Sequence, residues 1–234
     1  MAAAGSTFVL VHGGWHDAWC WNLLTPELTA LGHEVVTMDL PCDDPAKSFP
    51  DYADVVAAAI PEGADHVTLV GHSLAGLTVP LVAERRSIDR MVLLCALVPL
   101  LDTSFRDQLG LETDMLDSGY VTGLEADDRG RHSWVDIELA RHHLYTECDD
   151  AIVEDAFAHL RPQSRTPYLE PCALADYPST PTTYVVCTGD RMVNPDWSRR
   201  FVPDHLDAEL VEMEGDHSPF LSRPRELANL LTGL

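Results

Sequence analysis

Val67-Thr68-Leu69-Val70-Gly71-His72-Ser73-Leu74-Ala75-Gly76 is an apolar run rich in β-branched residues that breaks at a glycine-flanked serine and continues into a helix-forming stretch. A strand that turns through Gly-x-Ser into a helix is the sequence form of a nucleophile elbow. The backbone at such a serine is strained, which lifts Oγ clear of the sheet, and small flanking residues let strand and helix approach closely. The usual spacing is G-x-S-x-G. Here the fifth position is Ala75 and a glycine follows at Gly76, so the reading requires a methyl group to be tolerated where helix crosses strand.

A serine hydroxyl is a weak nucleophile at neutral pH. It needs an imidazole to take its proton and a carboxylate to hold that imidazole in the right tautomer. Chain order supplies both. Thr182 to Cys187 reads as a strand that ends in Thr188-Gly189-Asp190, with Pro195 positioned to start the next helix. Glu209 to Met213 is a second short strand, followed by Gly215-Asp216-His217 and a final helical run. Ser73, Asp190 and His217 therefore fall in the order Ser, acid, His, each after a strand. Asp102, just past the strand that ends near Leu94, is the alternative acid. The tetrahedral intermediate also needs donors for its oxyanion. One is the backbone N–H of Leu74, directly after the serine. The other is assigned to Gly14, because Phe8-Val9-Leu10-Val11-His12-Gly13-Gly14-Trp15 is a strand opening into two glycines. One such donor is worth roughly 3 to 4 kcal/mol of barrier.

These stretches resemble the α/β-hydrolase superfamily, and within it the branch of plant-type methyl esterases, hydroxynitrile lyases and their bacterial relatives. The resemblance covers nearly the whole chain. It is carried by Phe8 to Trp21, Leu31 to Leu40, Gly71-His72-Ser73-Leu74, Asp190 with Pro195, and Gly215-Asp216-His217. The lyases it resembles have a threonine after the first-strand histidine, where this chain has Gly13. They have a lysine after the catalytic histidine, where this chain has Ser218, and Lys47 is its only lysine. The resemblance thus implies an esterase without a cofactor or metal, with Ser73, His217 and Asp190 catalytic and Gly14 and Leu74 as the oxyanion hole. Gly13, Trp15, His16 and Trp134 are expected to contact the substrate, His16 on its match to a histidine of the branch near the pocket mouth, with a structural role for His16 and a place in the cap core for Trp134 as the alternatives. The competing readings are a non-hydrolytic enzyme (lyase, elimination or cyclisation) that uses Ser73 and His217 as an acid–base pair, and a small-molecule receptor with vestigial turnover.

The chain has 234 residues, 46% of them hydrophobic, and a formal net charge of −23. That size supports one core with room for an insertion. The charge repels nucleic acid and anionic membranes, so the expected partner is a small, neutral ester, and a homodimer is compatible with the sequence. Six cysteines lack metal or redox spacing and read as small core residues. Arg141-His142-His143 carries no carboxylate pattern beside it, and no metal site is assigned. The N-terminus has no basic leader and no apolar run reaches membrane-spanning length, which points to the cytoplasm.

Strands and helices alternate: strands at 7–12, 33–38, 66–70, 90–95, 182–187 and 209–213, with helices at about 19–31, 51–60, 75–86, 196–202 and 223–233. This predicts an α/β fold, a mostly parallel sheet of about six strands with helices on both faces. Residues 1–97 and 179–234 form the core in this reading. Residues 98–178 interrupt it as a helical cap, with Trp134, Tyr145 and Phe157 as the aromatic candidates for lining a pocket.

Overall fold

The computed structural model describes residues 5–234. The elements run in chain order β1 (Thr7–Val11), α1 (Leu24–Ala30), β2 (Glu34–Thr37), α2 (Phe49–Ala59), β3 (Val67–His72), α3 (Val79–Ala83) and β4 (Arg90–Leu94). Then come α4 (Phe105–Leu111), β5 (Leu124–Ala126), β6 (Arg131–Trp134), α5 (Ile137–Leu144), α6 (Asp150–His159) and β7 (Gln163–Ser164). The chain closes with β8 (Thr182–Cys187), α7 (Pro195–His205), β9 (Glu209–Met213), α8 (Pro219–Ser222) and α9 (Pro224–Gly233).

Six strands form one parallel sheet in the order β2-β1-β3-β4-β8-β9. β1, β3 and β8 are buried at every residue, as strands covered on both faces must be. Alternation divides the core. Val9, Leu69, Met91, Leu93 and Tyr184 pack against α2, α3 and α7 on one face. Phe8, Leu10, Val70, Val92 and Val185 pack against α1 and α9 on the other. Because the strands are parallel, the loops after β1, β3, β4, β8 and β9 all leave the same edge of the sheet. Among the described residues no helix is long and apolar enough to cross a membrane.

Two expected helices are shorter than their periodicity predicts. The helix after Ser73 is a 3-10 turn over Ser73–Leu77 followed by the five-residue α3. Pro80 has no N–H to offer the carbonyl of Gly76 and its ring crowds that carbonyl, so a continuous helix cannot form across the junction. The helix expected over 19–31 likewise divides into a 3-10 turn, Ala18–Trp21, and α1, with Pro26 in the first turn of α1.

The segment 98–178 is not purely helical. It holds α4, α5 and α6 together with an antiparallel three-stranded sheet in the order β5-β6-β7. The β5–β6 turn is closed by Asp127, whose Oδ1 accepts from the N–H groups of Arg129 and Arg131, each at 2.9 Å. Gly130 takes the left-handed conformation at φ +73°. The acid-rich stretch Glu125-Ala-Asp-Asp128 is therefore a hairpin, and its acid is consumed by turn chemistry.

Candidate active site

Ser73 follows β3 directly and has φ +53°, a left-handed conformation that costs a non-glycine residue energy and needs support from its surroundings. That support is packing on both sides. A Cβ on Gly71 would fall 2.7 Å from Val79 Cγ2, and one on Gly76 would fall 1.9 Å from the carbonyl oxygen of Leu97. The obligatory close approach of helix to neighbouring chain is thus at Gly76, while Ala75 keeps its methyl in the core at 2% exposure. The one-residue displacement of glycine from the usual motif has this steric cause. The Leu97 N–H donates to the Ser73 carbonyl at 2.9 Å and fixes the turn to the chain after β4.

Asp190 and His217 leave the ends of β8 and β9. The Gly189 N–H donates to the Gly215 carbonyl at 2.9 Å and ties the two loops together. His217 Nδ1 lies 2.8 Å from Asp190 Oδ2, and both side chains are 2% exposed. Asp190 Oδ1 accepts from the N–H groups of Met192 at 2.7 Å and Val193 at 3.0 Å. All of the carboxylate's bonds hold it square to the imidazole, with Nδ1–H donating and Nε2 free to exchange a proton. Asp102 is exposed and makes no contact with His217 among the described bonds. The His217 carbonyl accepts from His72 Nε2 at 2.8 Å, which anchors the histidine loop to the residue before Ser73. The link from Ser73 Oγ to the His217 ring is not closed among the described residues. Such contacts are often loose in a free enzyme and tighten around substrate.

The loop after β1 is held by two buried histidines. His12 Nδ1–H donates to the Gly13 carbonyl at 2.8 Å, and its Nε2 accepts from the Leu40 N–H at 2.9 Å. His16 Nδ1–H donates to the Gly14 carbonyl at 2.8 Å, and its Nε2 accepts from the Tyr145 hydroxyl at 2.9 Å. With its carbonyl engaged, Gly14 has an N–H that reaches no acceptor among the described residues. Gly14 also faces the second expected donor residue, since a Cβ on it would lie 3.3 Å from Leu74 Cδ2. Gly13 sits against Ser73, its Cβ position 2.9 Å from Ser73 Cβ.

Two of the expected substrate contacts, His16 and Trp134, lie behind other residues of the loop. His16 is 4% exposed with both ring nitrogens bonded, so it braces the glycine loop from behind. Trp134 is 6% exposed and packs edge-on to Trp15 at 5.8 Å, backing that residue from beneath. Tyr145 is fully buried on the His16 bond. The crevice over Ser73 is walled by Trp15, Leu74, Phe105, Tyr120, Tyr168 and Met192 among others. Three of these aromatics, Phe105, Tyr120 and Tyr168, lie in the segment 98–178 and went unnamed in the sequence reading.

Three further groupings emerge only in the fold. The ligand atoms of Cys95, Asp190 and His217 lie within 4.8 Å of one another. Burial pushes the Cys95 thiol well above its usual range and neighbouring Cys187 adds to the effect, so Cys95 is a neutral thiol and a poor nucleophile. Asp216 is buried beneath the histidine loop and accepts from Glu147 N–H at 2.9 Å and Ser222 Oγ at 2.8 Å. Asp117 joins His142 and His143, with ligand atoms again within 4.8 Å. The Arg191 guanidinium, 3.3 Å from His142 Nδ1, puts a positive charge where a cation would sit.

Burial lowers the His12 imidazole to about 4 and the His16 imidazole to about 3. Both values lie below the ordinary 6.5, so the unfolded chain binds more protons than the folded one between those limits. The contribution of each neutral ring is complete above pH 6.5 and is lost as pH falls toward the folded value. Going from pH 7 to pH 4 is expected to cost roughly 3 kcal/mol per histidine. Urea unfolding at both pH values should show His16→Gln losing about 3 kcal/mol less than wild type over that interval; equal losses would contradict the assignment. Relief of acidic self-repulsion affects both proteins and cancels in the comparison.

The sequence profile of the α/β-hydrolase family matches residues 8–230. Methylesterase 2 of Arabidopsis thaliana is 29% identical, the match covering 97% of this chain and 95% of that protein. Salicylic acid-binding protein 2 of Nicotiana tabacum is also 29% identical, over 97% and 96% of the two chains. The crystal structure of polyneuridine aldehyde esterase superposes with a TM-score of 0.83 at 25% identity, covering 98% of each chain. A parallel sheet that presents a serine elbow, an acid loop and a histidine loop at one edge, matched from end to end by such relatives, makes this chain a member of the α/β-hydrolase family.

Proposed function

We propose that the protein is a cofactor-independent serine esterase that cleaves small carboxylic esters through an acyl-enzyme. The observation that carries this reading is the buried 2.8 Å bond between His217 and Asp190 beside a serine held at φ +53°. Ser73 Oγ adds to the ester carbonyl carbon as its proton passes to His217 Nε2, and the oxyanion is received by the N–H groups of Gly14 and Leu74. Collapse expels the alcohol, protonated by His217. Water then adds to the acyl-enzyme with His217 as base, releasing the acid and restoring the serine. Asp190 holds the ring and offsets the charge it gains. The names of the relatives, two of them methylesterase and aldehyde esterase, support the same bond type. Ser218 in place of a cation after His217 favours ester cleavage over release of a cyanide-like anion.

The test is a panel of methyl and aryl esters assayed for both products. Alcohol and acid are expected to appear in equal amounts. Carbonyl products from carbon–carbon cleavage, with no alcohol, would instead support a lyase, and saturable ligand binding with neither product would support a receptor.

A further inference from the structure

Beyond the crevice over Ser73 lies a wider cavity of about 220 Å³. The two share Trp15, Tyr120 and Tyr168 as walls, so the cavity adjoins the crevice across those three side chains. No aspartate or glutamate lines it, although the chain carries 38 acidic residues against 15 basic ones. Its one cation is Arg165.

Arg165 differs from two nearby arginines. Arg131 is paired with Asp127 at 2.6 Å and Arg161 with Asp43 at 2.7 Å. Among the described residues, by contrast, no carboxylate lies within ion-pair distance of Arg165. The residue is placed by rigid structure. It follows β7, whose Gln163 pairs with His132 of β6, and its carbonyl accepts from the Tyr168 N–H at 3.1 Å. Its charge is felt across the cavity. Burial raises the phenols of Tyr120 and Tyr168, and Arg165 opposes that rise in both. Burial lowers the His132 imidazole and Arg165 lowers it further, against an opposing pull from Asp127.

We propose that this vestibule recognises an ionised carboxylate on the substrate, so that the ester cleaved at Ser73 carries a second, free acid group at its far end, received by Arg165. The inference rests on the esterase reading above and narrows its small carboxylic ester to the monoester of a diacid, replacing the neutral ester expected from the sequence. A planar guanidinium presents paired N–H donors that match a carboxylate. The aromatic walls accept the intervening methylenes, and no acidic side chain lines the cavity itself.

Methanol release is measured for monomethyl adipate and monomethyl suberate against methyl hexanoate and methyl octanoate, in wild type, Arg165→Gln and Ser73→Ala. The wild-type kcat/KM ratio of anionic to neutral ester is expected to exceed about tenfold at one of the two chain lengths. It should fall by about tenfold to a hundredfold in Arg165→Gln, as loss of a charge-assisted bond implies, mainly through KM. Added salt should shrink the ratio, because the guanidinium is solvent-exposed. No preference for the anionic ester at either length, or a ratio unchanged in Arg165→Gln, would overturn the proposal. If no ester is cleaved, the esterase reading fails by itself. The vestibule is then judged by tryptophan fluorescence, with monomethyl suberate titrated into the Ser73→Ala protein with and without Arg165→Gln. Binding weakened tenfold or more by the second substitution supports the anion site, and equal binding refutes it.

Discussion

Replacing Ser73 with alanine is expected to lower ester hydrolysis by roughly 10⁴- to 10⁶-fold while leaving the melting temperature close to that of wild type. The magnitude follows from losing the attacking oxygen altogether: what remains is the help that an oxyanion site and substrate binding give to water. Folding is spared because the substitution removes one hydroxyl that forms no hydrogen bond among the described residues, and alanine meets the same backbone constraint at φ +53°. His217→Ala should lose activity on a similar scale, and combining the two should add little, because nucleophile and base act as one unit. Hydrolysis by Ser73→Ala within tenfold of wild type would remove the nucleophile from the account.

Gly76→Ala is the largest expected effect on stability. The new Cβ would lie 1.9 Å from the Leu97 carbonyl oxygen and 3.0 Å from Ala96 Cβ. The first of these atoms is backbone and cannot turn away, so the 3-10 turn bearing Ser73 and the chain after β4 must separate. Overpacking usually costs 1 to 3 kcal/mol, and a clash with main chain belongs at the top of that range or above it, about 3 kcal/mol. For a chain of this length that is a drop of roughly 6 to 12 °C in melting temperature. Catalysis should suffer beyond the stability loss, because the Leu97 N–H to Ser73 carbonyl bond crosses the same contact. Gly110→Ala is the matched control. Nothing lies within 4 Å of its Cβ position in α4, and removing a helical glycine there should raise stability by up to about 1 kcal/mol. A Gly76→Ala protein as stable as wild type would show that the elbow does not depend on this contact.

Much of the scaffold was readable because its signals are local. β-branched runs of strand length before Ser73 and Asp190, and the short strand Glu209–Met213 before His217, put three chemically complementary side chains after strand ends on the strength of the sequence alone. Proline effects were equally local: Pro80 and Pro26 divide helices that a hydrophobic period alone predicts as continuous. The turn from Asp127 to Gly130 also carried its signal, an aspartate three residues before a glycine with alternation beyond it, and composition hid it. What stayed hidden is long-range. Nothing near Gly76 in sequence announces that the Leu97 carbonyl will press on it, or that the Tyr145 hydroxyl, 129 residues away, will brace His16. The same holds for Trp134, whose place behind Trp15 depends on how β6 docks, and for Arg165, whose lack of a carboxylate partner is a property of the folded surface.

The account stands on Ser73 being the activated oxygen of the cleft. The most direct measurement is exposure of the native protein to a fluorophosphonate followed by intact-mass analysis and peptide mapping. One adduct per chain is expected, on Ser73, with labelling greatly slowed in His217→Ala and abolished in Ser73→Ala. A phosphonylated residue other than Ser73, or a native enzyme that cleaves esters yet takes no label, would contradict it.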